Sequence, residues 1–316
     1  MRNASANPSY RIPTILLIGK RETKFQWLEL PVSGIAVNLR KVSDLLEIAD
    51  PQFQPASGLS LRPDEVQLWR VDLNQVAPAE PRWRQLLSPD EAVRADRFHF
   101  ERDRRNYTAT RALLRMLLGK YVNSAPERVP FVYGERGKPA LDSNRSETHL
   151  YFNVSHSGMK ALLAFAHGRE VGVDVEQIRN NLDHQGLARR FFSPAEQQAL
   201  AALPRSEQCA GFFRCWTRKE AYIKAQGTGF SVPLDGFDVS LLPGEQNALL
   251  ATRPDAGGAS RWCLCEARPA KDMRRRCASG VMVGACGASA QDLSTFGRKK
   301  MKCVPLCATI CIVSPK

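Results

Sequence analysis

No apolar run in this chain approaches the roughly 18 residues that a membrane-crossing helix requires; "PTILLIG" near the start and "CVPLCATICIV" near the end are both too short. A signal-peptide pattern is missing too, so the protein is expected to be cytoplasmic. Cysteine is scarce in the body of the chain, with seven of the nine falling from Cys263 onward. An odd total without zinc-type spacing argues against a disulfide framework. Cys303, Cys307 and Cys311 follow an i, i+4, i+8 spacing that could line a helix face and hold a metal. No second cluster or nearby histidine supports that.

What is present is a soluble globular composition, 43% hydrophobic and 24% charged over 316 residues, enough for one large or two small domains. The net charge of +13 invites a nucleic-acid reading, but residues 271–316 carry +7 of it and residues 61–270 only +4. The body is nearly balanced, so neither a nucleic acid nor a membrane is expected as partner.

One pattern occurs twice. "LLSPDEAVRADRF" from Leu86 and "FFSPAEQQALAAL" from Phe191 both place a Ser N-cap, a Pro at the first helical position and a Glu three residues after the Ser. Each follows a strand-like segment, "VQLWRVDL" or "REVGVDVE", and precedes a long helical one, "RRNYTATRALLRMLLGKY" or "CAGFFRCWTRKEAYIKAQ". Strand-like sequence then closes each unit. The shared order predicts an α+β pseudo-dimer of two similar subdomains, each a small sheet packed with helices, over residues 61–168 and 169–270. Residues 1–60 carry no readable motif and are taken as an N-terminal extension.

In "VGVDVEQI" the period of two sends Val171, Val173 and Val175 to one face and Asp174 and Glu176 to the other. Alone, that is an ordinary polar strand face. On the helix "WTRKEAYIKAQ", however, Trp216, Glu220 and Lys224 form one stripe, while Phe212, Phe213 and Ile223 offer apolar contact. Glu220 can then face the strand carboxylates, and three converging carboxylates repel unless a cation lies between them. Mg²⁺ suits such oxygen ligands and completes its shell with water and substrate phosphate. The first unit offers an anion cradle: Arg94, Arg97, Arg104, Arg105, Arg111 and Arg115 crowd two helices, and Lys138 lies in the turn "RGKPAL". Ser155, His156 and Ser157 are expected in a tight link between "HLYFNV" and "KALLAFA". Gly227 and Gly229 are expected to end the long helix.

Taken in order, "GKPAL", "FNVSHSG", "VGVDVE", "FFSPAE" and "WTRKEAYIKAQGTGF" resemble the signatures of the Sfp-type 4′-phosphopantetheinyl transferases, over Val66 to Pro269. The resemblance implies a pseudo-dimer of two α/β subdomains in a monomer. It also implies transfer of the phosphopantetheine arm of coenzyme A to a serine of an acyl, peptidyl or aryl carrier protein, releasing adenosine 3′,5′-bisphosphate. By motif, Asp174, Glu176 and Glu220 would hold Mg²⁺. Glu176 would also be the general base, with Lys224 beside the diphosphate. Lys138, Ser155, His156 and Arg111 would hold the phosphates of coenzyme A, together with Arg94 and Arg97. Thr217 stands where the motif usually has Ser.

The tail departs from the family. A closing strand of the type "GYAAALAV" is missing where it is due, and "KDMRRRCASG" stands there instead. Lys271 to Ala278 can be encoded by AAG GAT ATG CGG CGG CGT TGC GCT, which read from the third base gives Gly-Tyr-Ala-Ala-Ala-Leu-Arg. A one-base frameshift between about Ala267 and Lys271 is therefore expected, leaving residues 271–316 out of frame and the second sheet short of a strand, with an exposed edge. Against the transferase reading stand an inactive frameshifted relative, a basic nucleic-acid-binding protein, and a metal-dependent phosphohydrolase using the same carboxylates.

Overall fold

The computed structural model describes residues 26–29, 36–41, 59–76, 80–135, 137–142, 149–229, 232–245, 248–267 and 306–313. The chain runs β1 (Gln26–Glu29), β2 (Ala36–Lys41), β3 (Glu65–Asp72), α1 (Leu73–Val76), α2 (Glu80–Arg84), α3 (Pro89–Asp96), α4 (Glu101–Tyr121), β4 (Phe131–Tyr133), β5 (Pro139–Leu141), β6 (Leu150–Ser157) and β7 (Lys160–His167). It continues through β8 (Val171–Gln177), α5 (His184–Phe191), α6 (Pro194–Ala202), α7 (Arg205–Gln226), β9 (Phe237–Val239), β10 (Leu249–Thr252), β11 (Trp262–Glu266) and β12 (Leu306–Val313).

The expected repeat is present as topology. In the first sheet the order is β1-β2-β3-β7-β6, and in the second β11-β12-β8. Each unit thus opens with one strand, passes through helices, and closes with two strands of which the last inserts in the middle, all antiparallel. Both helix starts form as read. Ser88 N–H donates to Glu91 Oε2 at 3.0 Å, and Ser193 N–H to Glu196 Oε2 at 2.9 Å.

Strands β3 and β7 are buried on two faces, which is why they read as nearly continuous apolar runs. Along β3, Trp69 and Val71 turn outward onto α4, packing on Leu113 and Leu117. Val66 and Leu68 turn inward with Leu162 and Ala164 of β7, Val171, Val173 and Val175 of β8, and Ile310 and Ile312 of β12. The two sheets therefore share one apolar layer, with a helix layer outside each.

The N-terminal segment read as an extension supplies β1 and β2, and β2 runs parallel to β3. The tail requires a correction. The second sheet does not end in a missing strand, because β12 pairs with β11 on one side and β8 on the other. Its sequence meets the physical requirement of a doubly covered strand: Ile310 and Ile312 enter the shared layer, while Cys307 and Thr309 face α7. Thr217 explains itself there, its hydroxyl lying 3.1 Å from that of Thr309. The helix considered for Cys303, Cys307 and Cys311 is a strand at the last two positions, and Cys303 lies outside the described residues. Residues 268–305, where the frameshift was placed, also lie outside them.

Ile310→Ala removes fully buried atoms from the layer between the sheets, and is expected to lower the unfolding free energy by about 2–5 kcal/mol. Chemical denaturation monitored by circular dichroism would measure this. An unchanged midpoint would take residues 306–313 out of the core.

Candidate active site

Gly172 sets the distance on which the site depends. A Cβ there would lie 2.1 Å from the Ala221 carbonyl oxygen and 2.4 Å from the Ala225 nitrogen, so β8 rests directly on the backbone of α7. This close approach brings Asp174 and Glu176 beside Glu220 and Lys224. Lys224 Nζ donates to Asp174 Oδ1 at 2.6 Å and to Ser155 Oγ at 3.2 Å. The helix ends at Gly227, left-handed at φ 71°, whose N–H caps Ile223 O at 3.0 Å.

The charges on α7 divide by role. Buried Arg218 reaches Ser240 O at 2.6 Å, Leu242 O at 2.9 Å and Glu266 Oε1 at 3.1 Å. Buried Lys219 reaches Leu234 O, Phe237 O and Glu196 Oε1, all within 2.8 Å. These two hold the second subdomain together. Glu220 and Lys224, one turn apart, face β8 instead.

Ser155, His156 and Ser157 are not in a link but are the last three residues of β6. Ser157 pairs with Lys160, leaving Gly158 and Met159 as the whole turn, with Gly158 at φ 56°. His156 is open to solvent at the surface of this strand. Partial burial, and then the Lys224 ammonium, hold its imidazole below the ordinary value.

Lys138 lies at a cleft of about 350 Å³ between the two units, walled by Pro139, Tyr151, Glu170, Gln226 and Gly227. Its Nζ donates to Glu170 Oε2 and to Ala225 O, both at 3.0 Å, tying it to the last turn of α7. The arginines lie apart. Arg111 donates to buried Glu91 at 2.5 Å and to Tyr133 Oη, with its guanidinium over the Phe131 ring. Arg94 and Arg97 line a shallow outer groove with Pro89, Val93 and Phe98. Among the described residues, no hydrogen bond or ion pair joins Arg94, Arg97 or Arg111 to the Asp174–Lys224 cluster.

The electrostatics of the cluster are those of crowded acids. Burial, and then the Asp174 carboxylate, push Glu176 above the ordinary carboxylate range, against a Ser157 hydrogen bond that lowers it. Burial pushes Glu220 up as well, with Asp174 and Glu176 adding to it and Lys224 opposing. Asp174 Oδ2 and Glu220 Oε1 are buried without a hydrogen-bond partner among the described residues. An unpaired carboxylate oxygen out of water is costly, and a cation is what such oxygens lack. Among those residues no group of three or more His, Cys, Asp or Glu side chains is gathered to hold a metal ion as it stands. Carboxylates with unpartnered oxygens fit an open site of the Mg²⁺ type, which leaves positions for water and phosphate.

Residues 170–273 match the family model of the 4′-phosphopantetheinyl transferase superfamily, and residues 75–167 that of the 4′-phosphopantetheinyl transferase N-terminal region. The 4′-phosphopantetheinyl transferase HetI of Nostoc sp. is 41% identical over 229 residues, 72% of this chain and 92% of that protein. The chain belongs to the 4′-phosphopantetheinyl transferase superfamily. The transferase Sfp of Bacillus subtilis is 32% identical over 161 residues, covering 51% of this chain and 69% of Sfp. AcpT of Escherichia coli O157:H7 is 41% identical over 113 residues, 36% of this chain and 55% of AcpT. The protein is thus a transferase, one that moves phosphopantetheine from coenzyme A to carrier proteins. No helix among the described residues is long and apolar enough to cross a membrane.

Two site features escaped the sequence reading. Gly172 was visible as a glycine inside a strand pattern, a known mark of close backbone approach. Ser157 was seen but assigned to an anion cradle.

Because Glu176 and Glu220 are raised by folding, their contribution favours the folded state below the ordinary value of about 4.3 and is lost as pH rises through the raised values. Glu220→Gln removes one of these charges. Without divalent cations it is expected to melt above the wild type by roughly 2–4 °C near pH 8, about 1 kcal/mol, with the advantage vanishing near pH 4. Thermal scans in chelator at both pH values would measure it.

Proposed function

We propose that Asp174, Glu176 and Glu220 hold the Mg²⁺ on which phosphopantetheine transfer depends, in a monomeric cytoplasmic enzyme whose two transferase subdomains are built around residues 61–168 and 169–270, the first extended by β1 and β2 and the second completed by β12. The observation that carries this is the pair of buried oxygens without a partner among the described residues, Asp174 Oδ2 and Glu220 Oε1, on the strand and helix that Gly172 lets come together. When bound, Mg²⁺ supplies Lewis-acid stabilisation of charge on the diphosphate of coenzyme A.

The chain's own residues do the rest. Glu176 accepts the proton of the carrier serine, a role suited to a carboxylate whose pKa burial has moved towards neutrality. The serine oxygen forms its bond to the phosphorus that bears the pantetheine arm. The bond from that phosphorus to the bridging oxygen breaks, and adenosine 3′,5′-bisphosphate leaves with the electron pair. Lys224, held by Asp174 and Ser155, offsets the charge gathering on that leaving group. Lys138, at the cleft between the two units, would meet the nucleotide end of coenzyme A, and His156, on the strand that carries Ser155, would add a further phosphate contact. Arg94, Arg97 and Arg111 complete the phosphate contacts, Arg111 after release from Glu91 and Tyr133, while Ser155 holds Asp174 and Lys224. The acceptor is an acyl, peptidyl or aryl carrier protein, with no role for nucleic acid.

An apo carrier protein incubated with this enzyme, coenzyme A and Mg²⁺ is expected to gain the mass of one phosphopantetheine arm, read by intact-protein mass spectrometry. Chelator and Glu220→Ala should abolish the gain, and Glu176→Gln should reduce kcat by about 10²–10⁴. Full activity in chelator would end the Mg²⁺ assignment, and full activity of Glu176→Gln would end that of the base.

A further inference from the structure

Strand β8 is the edge of the second sheet: β12 pairs with one of its sides, and among the described residues no strand pairs with the other. An edge of this kind leaves a row of N–H groups that must be satisfied. Three side chains of β6 satisfy them. Asn153 Oδ1 accepts from Val173 N–H at 2.9 Å, Ser155 Oγ from Val175 N–H at 3.3 Å, and Ser157 Oγ from Gln177 N–H at 3.1 Å. The donors and acceptors both advance by two residues, so the side chains of one strand act as the hydrogen-bonding edge of the other.

Two rungs of this ladder do more. The Ser155 hydroxyl donates to Asp174 Oδ1 at 2.8 Å, and the Ser157 hydroxyl to Glu176 Oε2 at 2.7 Å. Each serine therefore grips a carboxylate of β8 and, with the same oxygen, the backbone N–H of the residue after it. A hydroxyl has one proton and two lone pairs, so both bonds are satisfied at once. The side chain and the peptide that carries it are fixed together.

We infer that the Asn153–Ser155–Ser157 ladder sets the position of the β8 carboxylates, and that Ser157 is the positioning residue for Glu176. The inference rests on the cation reading of the site. Ser157 orients a ligating carboxylate through its hydroxyl, and loss of such a partner costs metal affinity even where the ligands remain. Asn153 anchors the far end of the ladder in the middle of the strand, and its loss would free the register of all three rungs.

The test is binding of Mn²⁺, read from the paramagnetic resonance signal of the free ion, to the full-length protein with coenzyme A present. Ser157→Ala is expected to weaken Mn²⁺ binding by roughly 10- to 100-fold with little change in melting temperature. Ser157→Thr, which keeps the hydroxyl on a residue suited to strands, should restore near wild-type affinity. Wild-type affinity in Ser157→Ala overturns the inference, as does an equal loss in both variants that follows their thermal stability. Asp174→Asn and Glu220→Gln separate this from the reading beneath it. If they lose Mn²⁺ while Ser157→Ala keeps it, the inference alone fails. If the wild type binds none, or these two bind as it does, the cation site fails and the inference with it.

Discussion

The N–H edge of β8 is the constraint on which the rest of the molecule depends. Two sheets packed face to face through Val, Leu, Ala and Ile side chains could slide on one another with little loss, because apolar contact is not directional. Hydrogen bonds that Asn153, Ser155 and Ser157 accept from the N–H groups of Val173, Val175 and Gln177 remove that freedom. They do so where the apolar layer gives way to the site, so the joint between the subdomains and the carboxylates of the site are one construction. On the far side, Gly172 lets α7 settle onto the same strand and deliver Glu220 and Lys224. β8 is thereby located by a strand, a helix backbone and a side-chain ladder at once.

The two halves use one device to hold their helices. The glutamate of each capping box, after closing the helix start, is buried and pairs with a cation on the long helix that follows: Glu91 with Arg115 and Arg111, Glu196 with Lys219. A buried carboxylate with a paired cation adds little net stability over an apolar pair, but losing one partner strands the other charge. The pair therefore fixes the packing of short helix on long helix more than it strengthens it. The halves then diverge: α7 adds Glu220 and Lys224 on its strand-facing side, while α4 spends Arg111 on Glu91 and Tyr133.

Much of this was legible in the residues. The two Ser-Pro-x-Glu boxes gave the repeat because a capping box depends only on local spacing. The alternation in "VGVDVE" placed Asp174 and Glu176 on one face, since a strand has a strict period of two. The stripe Glu220–Lys224 was readable for the same reason on a helix. The arginines were not, because crowding of cations along a sequence says nothing about which buried acid each will find. Arg115 and Lys219 look like surface charges until Glu91 and Glu196 are placed against them. The ladder was hidden for a related reason. Asn153, Ser155 and Ser157 are spaced for a strand face, but their acceptor role exists only once the unpaired edge of β8 lies beneath them, a contact about 20 residues away in sequence.

The tail is the sharper lesson in what a pattern does and does not require. A closing strand was sought as a particular string at a particular distance after Glu266, and its absence was read as an open edge. What β8 and β11 require between them is only a strand whose alternate side chains are apolar towards the other sheet and compact towards α7. "CATICIV" meets that, with Ile310 and Ile312 on one face and Cys307 and Thr309 on the other. Thr309 lies opposite Asp174 and Cys307 opposite Glu176 in the register. Directly opposed residues of an antiparallel pair share a face, so these small side chains floor the side from which the carboxylates rise. A bulky residue at either position would press on Asp174 or Glu176 from beneath, and a charged one would change the balance of a cluster already crowded with acids. The strand farthest along the chain is thus held to the chemistry of the site by its two smallest demands, size and neutrality.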